Sequence, residues 1–400
     1  MRRATVAVVA LSLATATLAH AQQQLVPGVT WSIGTLGGGW YFADPIPQAA
    51  GRVGAVAQVA IPMQLRTTIR GWSVDVSGAA ALGGAAFLAP EDSDAEGRLV
   101  RVSGLTDVRL RATGPLFSDA LRFTVGVTVP TGTTGLDGEE TAALQLLAAP
   151  SLGMPVAAYG TGAGATVGVL RAFSAESWAF AIGASVEQRT EYSPVALALA
   201  NRTFSTSVTP GTAVHITAGL DRLVGAARWS TIVITDVYSE DVVRANENGV
   251  ITPQVAYTLG PQITASTQLD FANAGWRERS LSVSARRRSA FADSSGTAVA
   301  GSDGTYLDGA FNVVRGGPLG AGMVLGLDAR WQSGMSFTDA MVGAAVSAVG
   351  ATIGVEHAGM ASRTRGFLRA QYGSFDTGTF KATGLGVTLG FTVGARTVLP

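Results

Sequence analysis

The chain of 400 residues contains no cysteine, which excludes a disulfide framework and a lipid-anchoring cysteine. Charged residues are also scarce, since they make up 14% of the chain, whereas soluble domains average about 25%. The formal net charge is zero, and a nucleic-acid-binding protein needs a basic surface. We therefore expect no nucleic-acid partner.

Long apolar runs are missing as well. A transmembrane helix needs about 20 consecutive apolar residues. The best candidate after the N-terminus, Ala340–Val355, is shorter and glycine-interrupted, and its pattern favours two strands around a turn at Val349-Gly350-Ala351. The 51 glycines of the chain disfavour helices in general, yet its mean hydropathy is +0.30. The chain is therefore apolar without any predicted spanning helix.

The N-terminus predicts export. Arg2 and Arg3 precede the uncharged run Ala4–Ala19, and Ala19-His20-Ala21 is a cleavage signature. Residues 1–21 are thus predicted to be a signal peptide, and residues 22–400 a single domain. An exported apolar chain without spanning helices can satisfy its backbone in lipid only as a closed β-barrel. Because export without disulfides is ordinary for bacterial proteins, we expect the bacterial outer membrane.

Alternation of apolar and polar side chains is the main positive signal. In Leu121–Gly132 the odd-numbered strand residues are apolar, the even-numbered ones are Arg, Thr and Gly, and Pro130-Thr131-Gly132 ends the strand. The pattern recurs along the chain, and in Gly384–Val393 it again ends in apolar residues. It predicts an all-β fold, a transmembrane antiparallel up-and-down barrel of about 16 strands (14–18), with short helices in the extracellular loops.

Several local features are predicted from turn and helix signals. Gly114-Pro115 is expected to be a turn, and Val250–Leu259 is expected to form a hairpin with Gln262–Phe271. Glu139–Ala149 is expected to form a short helix, and Val195–Ala200 a helical turn. On this scheme the long loop at residues 289–302 falls on the periplasmic side, where only short turns belong.

Two further points concern strand geometry. Pro62 sits on the polar face of an alternating stretch, and this suggests a bulge or an edge-like position because proline cannot donate to a ladder. The phase of Ala226–Val237 stays open, because Trp229 and Val233 compete with Ile232 and Ile234 for the apolar face.

The polar faces of the predicted strands carry charged residues that would line a lumen. An arginine-biased wall would favour anionic solutes, whereas paired charges would only brace the barrel. Residues 139–149 would either fold inward and constrict the pore or form a surface helix. The predicted lumen-lining residues are Arg66, Arg70, Asp75, Asp107, Arg109, Arg111, Arg122, Asp270, Arg286, Arg288, Asp328 and Arg330.

Three short motifs carry a family resemblance. They are Gly104-Leu105-Thr106-Asp107, the strand end Val129-Pro130-Thr131-Gly132, and Tyr159-Gly160-Thr161-Gly162. Residues 100–190 in this way resemble the outer-membrane transporters of the meta-pathway phenol-degradation type, although residues 133–158 exceed that family's shorter loop. The resemblance implies a β-barrel that passes small, often hydrophobic or aromatic, molecules, and it supplies no catalytic residues.

The expected function is therefore an outer-membrane channel or transporter for small molecules that are hydrophobic, aromatic or anionic. The expected partners are outer-membrane lipid and lipopolysaccharide, a small-molecule solute, and the barrel-assembly machinery, through Gly386-x-x-Leu389-x-Phe391 in the last strand. No cofactor is expected. The acidic turn Glu91–Gly97 is either a solvated loop or a surface contact for a divalent cation, and we expect no metal site.

An enzyme and a structural barrel are two other classes of function. An enzyme would need a histidine beside a nucleophile, and only His215 and His357 follow the signal peptide, without a serine near His215 at strand spacing. Catalysis is therefore not expected. A structural or surface-interaction barrel would instead use the loops at residues 133–161 and 190–209.

Overall fold

The computed structural model describes residues 28–48, 51–89, 97–199, 202–247, 250–251, 255–271, 276–334, 345–359, 361–376 and 380–398. The predicted signal peptide, residues 1–21, and residues 91–96 of the acidic turn lie outside this range, so both stay predictions.

Almost all described elements are strands. In chain order these are β1 (Gly28–Gln48), β2 (Gly51–Ile69), β3 (Trp72–Leu88), β4 (Arg98–Leu105), β5 (Val108–Ser118), β6 (Leu121–Val129), β7 (Gly164–Ala175), β8 (Trp178–Arg189), β9 (Tyr192–Leu199), β10 (Arg202–Thr209), β11 (Ala213–Val224), β12 (Ala227–Tyr238), β13 (Glu240–Glu247), β14 (Val250–Ile251), β15 (Val255–Thr258), β16 (Gln262–Phe271), β17 (Trp276–Arg288), β18 (Ala292–Asp293), β19 (Gly304–Gly316), β20 (Ala321–Gly334), β21 (Ala345–Ala358), β22 (Ser362–Asp376) and β23 (Lys381–Val398). Between β6 and β7 lies helix α1 (Gly138–Leu147), and a 3₁₀ turn (Pro318–Gly320) precedes β20.

The larger sheet closes on itself. It contains 17 strands of the described chain, and β4 and β5 pair with successive parts of β3, so together they make one strand of a 16-strand antiparallel barrel. The first and last strands, β1 and β23, pair from Gly28↔Val398 to Phe42↔Gly384. Closure leaves no open sheet edge, which is the condition for a sheet to stand in lipid. The predicted fold class is confirmed.

The connections differ in length between the two ends of the barrel. Short turns such as Arg70-Gly71 join β2 to β3, and Gly225-Ala226 joins β11 to β12, at the end that also holds Gly28 and Val398. The longer connections lie at the opposite end. In membrane barrels the short turns are periplasmic and the long loops extracellular, which gives this barrel its orientation.

A second sheet stands on the long-loop end. Its strands run in the order β18-β15-β13-β10-β9, with β14 on β13. The expected hairpin between Val250–Leu259 and Gln262–Phe271 is therefore wrong, because β15 pairs with β13 and β18, whereas β16 pairs with β12 and β17. The barrel therefore has one strand fewer before Gln262 than predicted, so each later connection lies at the opposite end from the one predicted. The loop at residues 289–302 consequently lies at the extracellular end, as a long loop should.

Two predicted turns lie inside strands. Gly114 and Pro115 are part of β5, where they pair with Phe123 and Arg122 of β6. Gly114 is required because the indole of Trp72 leaves no room for a Cβ there. Gly350 likewise lies within β21, and a Cβ at this position would sit 2.7 Å from Asp328 Oδ1. Each glycine makes room for a side chain of the neighbouring strand, so neither is a turn.

The helix predictions have opposite outcomes. Glu139–Ala149 is confirmed as helical by α1, whereas Val195–Ala200 falls largely within strand β9. No helix in the described part of the chain is long and apolar enough to cross a bilayer.

Pro62 and β12 settle the two open points of strand geometry. Opposite Pro62, the pairs that Gly34 and Thr35 would make with β2 are missing, yet the register is the same on both sides. Pro62 thus removes two residue pairs from the ladder between β1 and β2 and causes no bulge there. In β12, Ile232 and Ile234 are buried and face the lumen, whereas Val233 is 38% exposed on the outer face.

The outer surface of the barrel is an apolar band with aromatic borders. On β23 the exposed residues are Leu385, Val387, Leu389 and Phe391, as their alternation predicted. Trp31 and Tyr41 face outward near the two ends of β1, and the strand between them, about ten residues at about 3.3 Å each and a tilt of about 40°, spans about 25 Å of membrane. An apolar band of this height bordered by aromatic rings is the outer face of a transmembrane barrel.

Leu389→Arg is expected to destabilise the barrel by about 2–4 kcal/mol, because it places a charge on the lipid face near the middle of β23. The measurement is reversible urea unfolding in lipid vesicles. Leu389→Ile, which keeps an apolar side chain, is expected to unfold close to the unmodified protein. Equal stability of both variants would mean that this face does not meet lipid.

Candidate functional site: a plugged lumen

The lumen is partly filled by the connection between β6 and β7. Residues 130–163, which we call the plug, enter the barrel and pack against the inward faces of β1 to β4 and β21 to β23. Of the two alternatives for residues 139–149, the structure has the inward position and not the surface helix. The plug side chains buried against the wall include Leu136, Ala142, Ala143, Leu146, Leu147, Leu152, Val156 and Tyr159.

Helix α1 begins with a complete capping box. Asp137 Oδ1 accepts a hydrogen bond from Glu140 N (2.7 Å), and Glu140 Oε2 accepts one from Asp137 N (3.0 Å). Glu139 also forms an exposed ion pair with Arg98 of the wall (2.6 Å). The side chains of Asp137 and Glu140 thus satisfy backbone donors that would otherwise lack partners at the helix start. A ten-residue helix is marginal alone, so its packing against the wall must supply most of its stability.

Polar side chains of the wall bind the backbone of the plug. Trp40 Nε1 donates to Leu152 O (2.9 Å). The Gln58 amide acts in both directions, since it donates to Val156 O (2.9 Å) and accepts from Val156 N (2.7 Å). Gln58 is 1% exposed, and a buried amide of this kind is stable only when its donors and acceptors are used. The plug is therefore held in one position and does not merely fill space.

Tyr159 adds a contact from the plug to the wall. Its hydroxyl donates to Val102 O (3.3 Å), and its ring is almost fully buried. Burial raises the pKa of the Tyr159 phenol, which keeps the hydroxyl protonated as a hydrogen-bond donor.

Asp107 fastens both ends of the plug. It lies at the interruption between β4 and β5 and is 6% exposed. Its Oδ1 accepts from Gly132 N (2.8 Å), where the plug begins. Its Oδ2 accepts from Thr161 N (2.6 Å) and from Thr161 Oγ1 (2.9 Å), where the plug ends. A carboxylate that accepts three hydrogen bonds is an anchor for backbone and not a free lumen charge.

The three motifs that carry the family resemblance meet at this anchor. Asp107 belongs to the first motif, Gly132 to the second and Thr161 to the third. Gly132 cannot carry a Cβ, because Tyr159 O and Asp107 Oδ1 occupy that space. The three motifs are far apart in sequence, but together they form the hydrogen-bonded contact that joins the two ends of the plug.

The two ends of the plug are also joined directly. Gly160 N donates to Thr133 O (3.0 Å). Beyond this point the plug contacts the second sheet, since Gly135 N donates to Ser193 O (2.8 Å) and Leu136 N donates to Pro194 O (3.1 Å). The plug is therefore a closed loop inside the lumen, with both ends bound to Asp107 and with backbone hydrogen bonds to β9.

A cavity of about 530 Å³ lies between the plug and the opposite wall. The plug side is apolar and includes Leu147, Pro150 and Met154. The inward wall residues are mainly small or hydroxylated, with charged residues at intervals. The inward wall residues that border the cavity are Ala172, Ala179, Ala181, Gly219, Asp221, Arg228, Ser230, Ile232, Ser266, Gln268, Asp270, Ser282, Ser284, Arg286, Tyr306, Asp308 and Arg330.

The predicted lining residues fall into groups. Asp270, Arg286 and Arg330 border the cavity. Arg66 of β2 is paired with Asp75 of the neighbouring β3. Asp328 of β20 accepts from Arg369 Nε (2.9 Å) and Nη2 of β22, so this pair reaches across β21, and both carboxylates brace the wall. Arg109, Arg111, Arg122 and Arg288 lie on the inward faces of their strands and are part-buried. Contact of any of them with a solute stays a prediction.

Arg70 was wrongly predicted to line the wall. It occupies the Arg70-Gly71 turn at the periplasmic end, with φ 50° and an exposed side chain. The alternation that assigned it to the polar face ends at Ile69, where β2 ends. Asp107 also differs in role from the prediction, because the plug covers it.

No protein-family profile and no curated protein matches the chain. Among similar solved structures, the CymD monoaromatic hydrocarbon channel is 9% identical, with 100% of this chain and 95% of that chain covered and a TM-score of 0.43. The Pseudomonas putida toluene transporter TodX is 8% identical over 94% and 93%, with a TM-score of 0.40. The outer membrane protein opdK from Pseudomonas aeruginosa is 8% identical over 92% and 99%, with a TM-score of 0.41.

His215 lies outside the cavity, among carboxylates. Its Nδ1 is 2.7 Å from Asp236 Oδ1, and its Nε2 is 3.6 Å from Glu187 Oε2. Ser185 is the cross-strand neighbour of His215 in the register, a relation that spacing along one strand could not reveal. Both ring nitrogens nevertheless face carboxylates, so the arrangement is that of an ion-pair cluster and not of an activated serine.

The residues that sequence reasoning missed are those whose partners lie on other strands. Asp221 and Arg228 form an ion pair across the turn between β11 and β12, beside the cavity. Tyr306 and Asp308 occupy successive inward positions of β19. Alternation along each strand carries the signal for their inward direction, but only the register shows which of them meet. In the described part of the chain no group of three or more acidic or histidine side chains could hold a metal ion.

Proposed function

We propose that this protein is a passive outer-membrane channel for small molecules, in which the plug restricts the solutes that pass. The observation that carries the proposal is the cavity of about 530 Å³ between the plug and the wall of a closed barrel. Pockets for small molecules range over about 300–1,000 Å³. A cavity of this size, inside a barrel and lined by both apolar and polar groups, suits the passage of single small solutes.

The lining favours solutes that combine a polar group with an apolar body. Methyl and methylene groups of Leu147, Pro150 and Met154 form the plug side, and hydroxyls of Ser230 and Ser266 lie on the wall side. No step of this passage requires chemistry by the protein, so we do not propose an enzyme. The proposal includes the expected contacts of the apolar outer band with lipid and lipopolysaccharide, and of β23 with the barrel-assembly machinery.

The proposal is tested by filling the cavity. Ala181 faces inward on β8 and borders the cavity, whereas Ala184 of the same strand faces lipid. Ala181→Phe is expected to reduce uptake of a small neutral probe, benzamide, into proteoliposomes about fivefold or more, because pore passage falls steeply as the free cross-section shrinks. Ala184→Phe is the matched control and should leave uptake unchanged. Equal uptake by the two variants would contradict passage through this cavity.

A surface-interaction barrel is the second candidate, and the second sheet favours it. That sheet is fixed to the barrel, since Asp241 of β13 is 8% exposed and its Oδ1 accepts from Gly211 N (2.6 Å), just before β11. A rigid extracellular sheet could present a binding surface. Full membrane insertion without uptake of any neutral or charged probe would favour this second candidate over a channel.

A further inference from the structure

The cavity contains guanidinium groups whose hydrogen-bonding capacity is not used. Arg286 of β17 is 5% exposed, and neither its Nε nor its Nη1 has a hydrogen-bond partner. Arg330 of β20 is 8% exposed, and its Nε also lacks a partner, while its Nη2 contacts the side-chain amide of Gln371. Buried polar groups in native proteins are almost always paired, so unpaired donors beside a cavity point to a ligand.

The two arginines converge on the same part of the cavity. In the register, Arg286 lies opposite Tyr306 and Arg330 lies opposite Asp308, and both partners are on β19 between them. The Arg286 Cζ is 5.8 Å from the centre of the Tyr306 ring. Arg330 is backed by the plug, where its guanidinium leaves no space for a Cβ at Gly153. Both groups are therefore held in place before any ligand arrives.

The local charge is not balanced by the protein. Nearby Asp328 forms an ion pair with Arg369. Asp236 contacts His215 Nδ1 (2.7 Å) and accepts a hydrogen bond from Gln262 Nε2 (3.2 Å). Asp221 pairs with Arg228 and Asp270 accepts from Gln268 Nε2 (2.7 Å), both towards the periplasmic end of the cavity. Among the described cavity residues, Asp308 is the carboxylate that lies on β19 between the two arginines. Two guanidinium groups face one such carboxylate, so a single negative charge from a ligand would restore neutrality.

We propose that Arg286, with Arg330 and Tyr306, binds the carboxylate of a small organic acid inside the cavity. Guanidinium and carboxylate groups form short, charge-assisted hydrogen bonds, and the Tyr306 hydroxyl adds a further polar group. The apolar plug face opposite, with Leu147, Pro150 and Met154, accommodates the carbon skeleton of the acid. This inference rests on the proposed channel function and specifies its solute class as monocarboxylates with an apolar body.

Binding is tested by calorimetry on the purified full-length protein with benzoate and its neutral counterpart benzamide. Benzoate is expected to bind at least about tenfold more tightly than benzamide. Arg286→Gln is expected to lose that preference, Arg330→Gln to reduce it, and Arg286→Lys to retain part of it. Arg287→Gln, which changes the exposed arginine next to Arg286 on the outer face of β17 and outside the cavity, is the matched control. Equal binding of benzoate and benzamide by the unmodified protein overturns the inference without any variant.

Two further arms separate the possible failures. Inorganic phosphate should compete weakly with benzoate, and competition as strong as that of a second organic acid would overturn the assignment to carboxylates. Uptake into proteoliposomes tests the channel separately. If benzamide enters and Arg286→Gln leaves benzoate affinity unchanged, the inference fails while the channel function stands. If neither probe enters although the protein is inserted, the channel function itself fails.

Discussion

Removing the plug is expected to raise the single-channel conductance of this barrel about tenfold or more, because barrels of 16–18 strands without a filled lumen leave an aqueous channel. The change is the replacement of residues 136–157 by a short Gly-Ser linker. Gly160 N and Thr133 O are 3.0 Å apart, so the two ends already meet and the linker need not cross the lumen. The Asp107 anchor also stays intact. The measurement is conductance in planar lipid bilayers.

The control for this deletion changes a loop at the same end of the barrel. Residues 294–298 are exposed and lie outside the lumen. Their replacement by the same linker is expected to leave conductance unchanged. A plug deletion that inserts normally but conducts no better than the full chain would mean that another constriction limits the pore.

Asp107→Ala is expected to loosen the plug without removing it. The carboxylate accepts three hydrogen bonds from Gly132 and Thr161, and hydrogen bonds to charged groups contribute about 1.5–3 kcal/mol each, although not additively. If the free energy that holds the plug against the wall falls by about 3 kcal/mol, the population of molecules with a detached plug rises roughly 100-fold. Hydrogen exchange of the plug amides should accelerate by about the same factor, since exchange reports local opening.

Two other substitutions define what Asp107→Ala measures. Asp107→Asn keeps one acceptor oxygen and should give an intermediate exchange rate. Asp75→Ala removes another buried carboxylate, which pairs with Arg66 on the neighbouring strand. It should leave plug exchange near the rate of the unmodified protein. If Asp75→Ala accelerates the plug as much as Asp107→Ala, the effect is a general loss of barrel stability.

The sequence allowed the barrel and its lipid face to be predicted, because a strand sends alternate side chains to opposite faces and the pattern is local. Turn prediction failed at Gly114 and Gly350, where the glycine makes room for Trp72 and Asp328 of other strands. The residues of β14 and β15 were correctly predicted to be strand, but they were assigned to the wrong sheet. Alternation predicts a face and does not select the strand with which it pairs.

The candidate site was less accessible to sequence reasoning. The acidic residues at the start of Glu139–Ala149 and Pro150 after it allowed a helix to be predicted, but they are equally compatible with a surface position and a plug. The deciding contacts, such as Gln58 with Val156, join residues about a hundred positions apart. Arg286 and Arg330 were predicted to face inward, whereas their shared cavity depends on the plug opposite them.

The position of the plug has a consequence for how the chain assembles. Pairing of β1 with β23 joins the two ends of the chain, and contacts so distant in sequence form late and at a high cost in chain entropy. The plug belongs to the buried cluster at this seam: Trp40 Nε1 of β1 donates to Leu152 O, and the Trp40 ring meets Phe375 of β22 edge-on at 5.7 Å. A segment from the middle of the chain thus contributes to the apolar cluster that the first and last strands share, and the loop that narrows the pore also favours closure of the barrel.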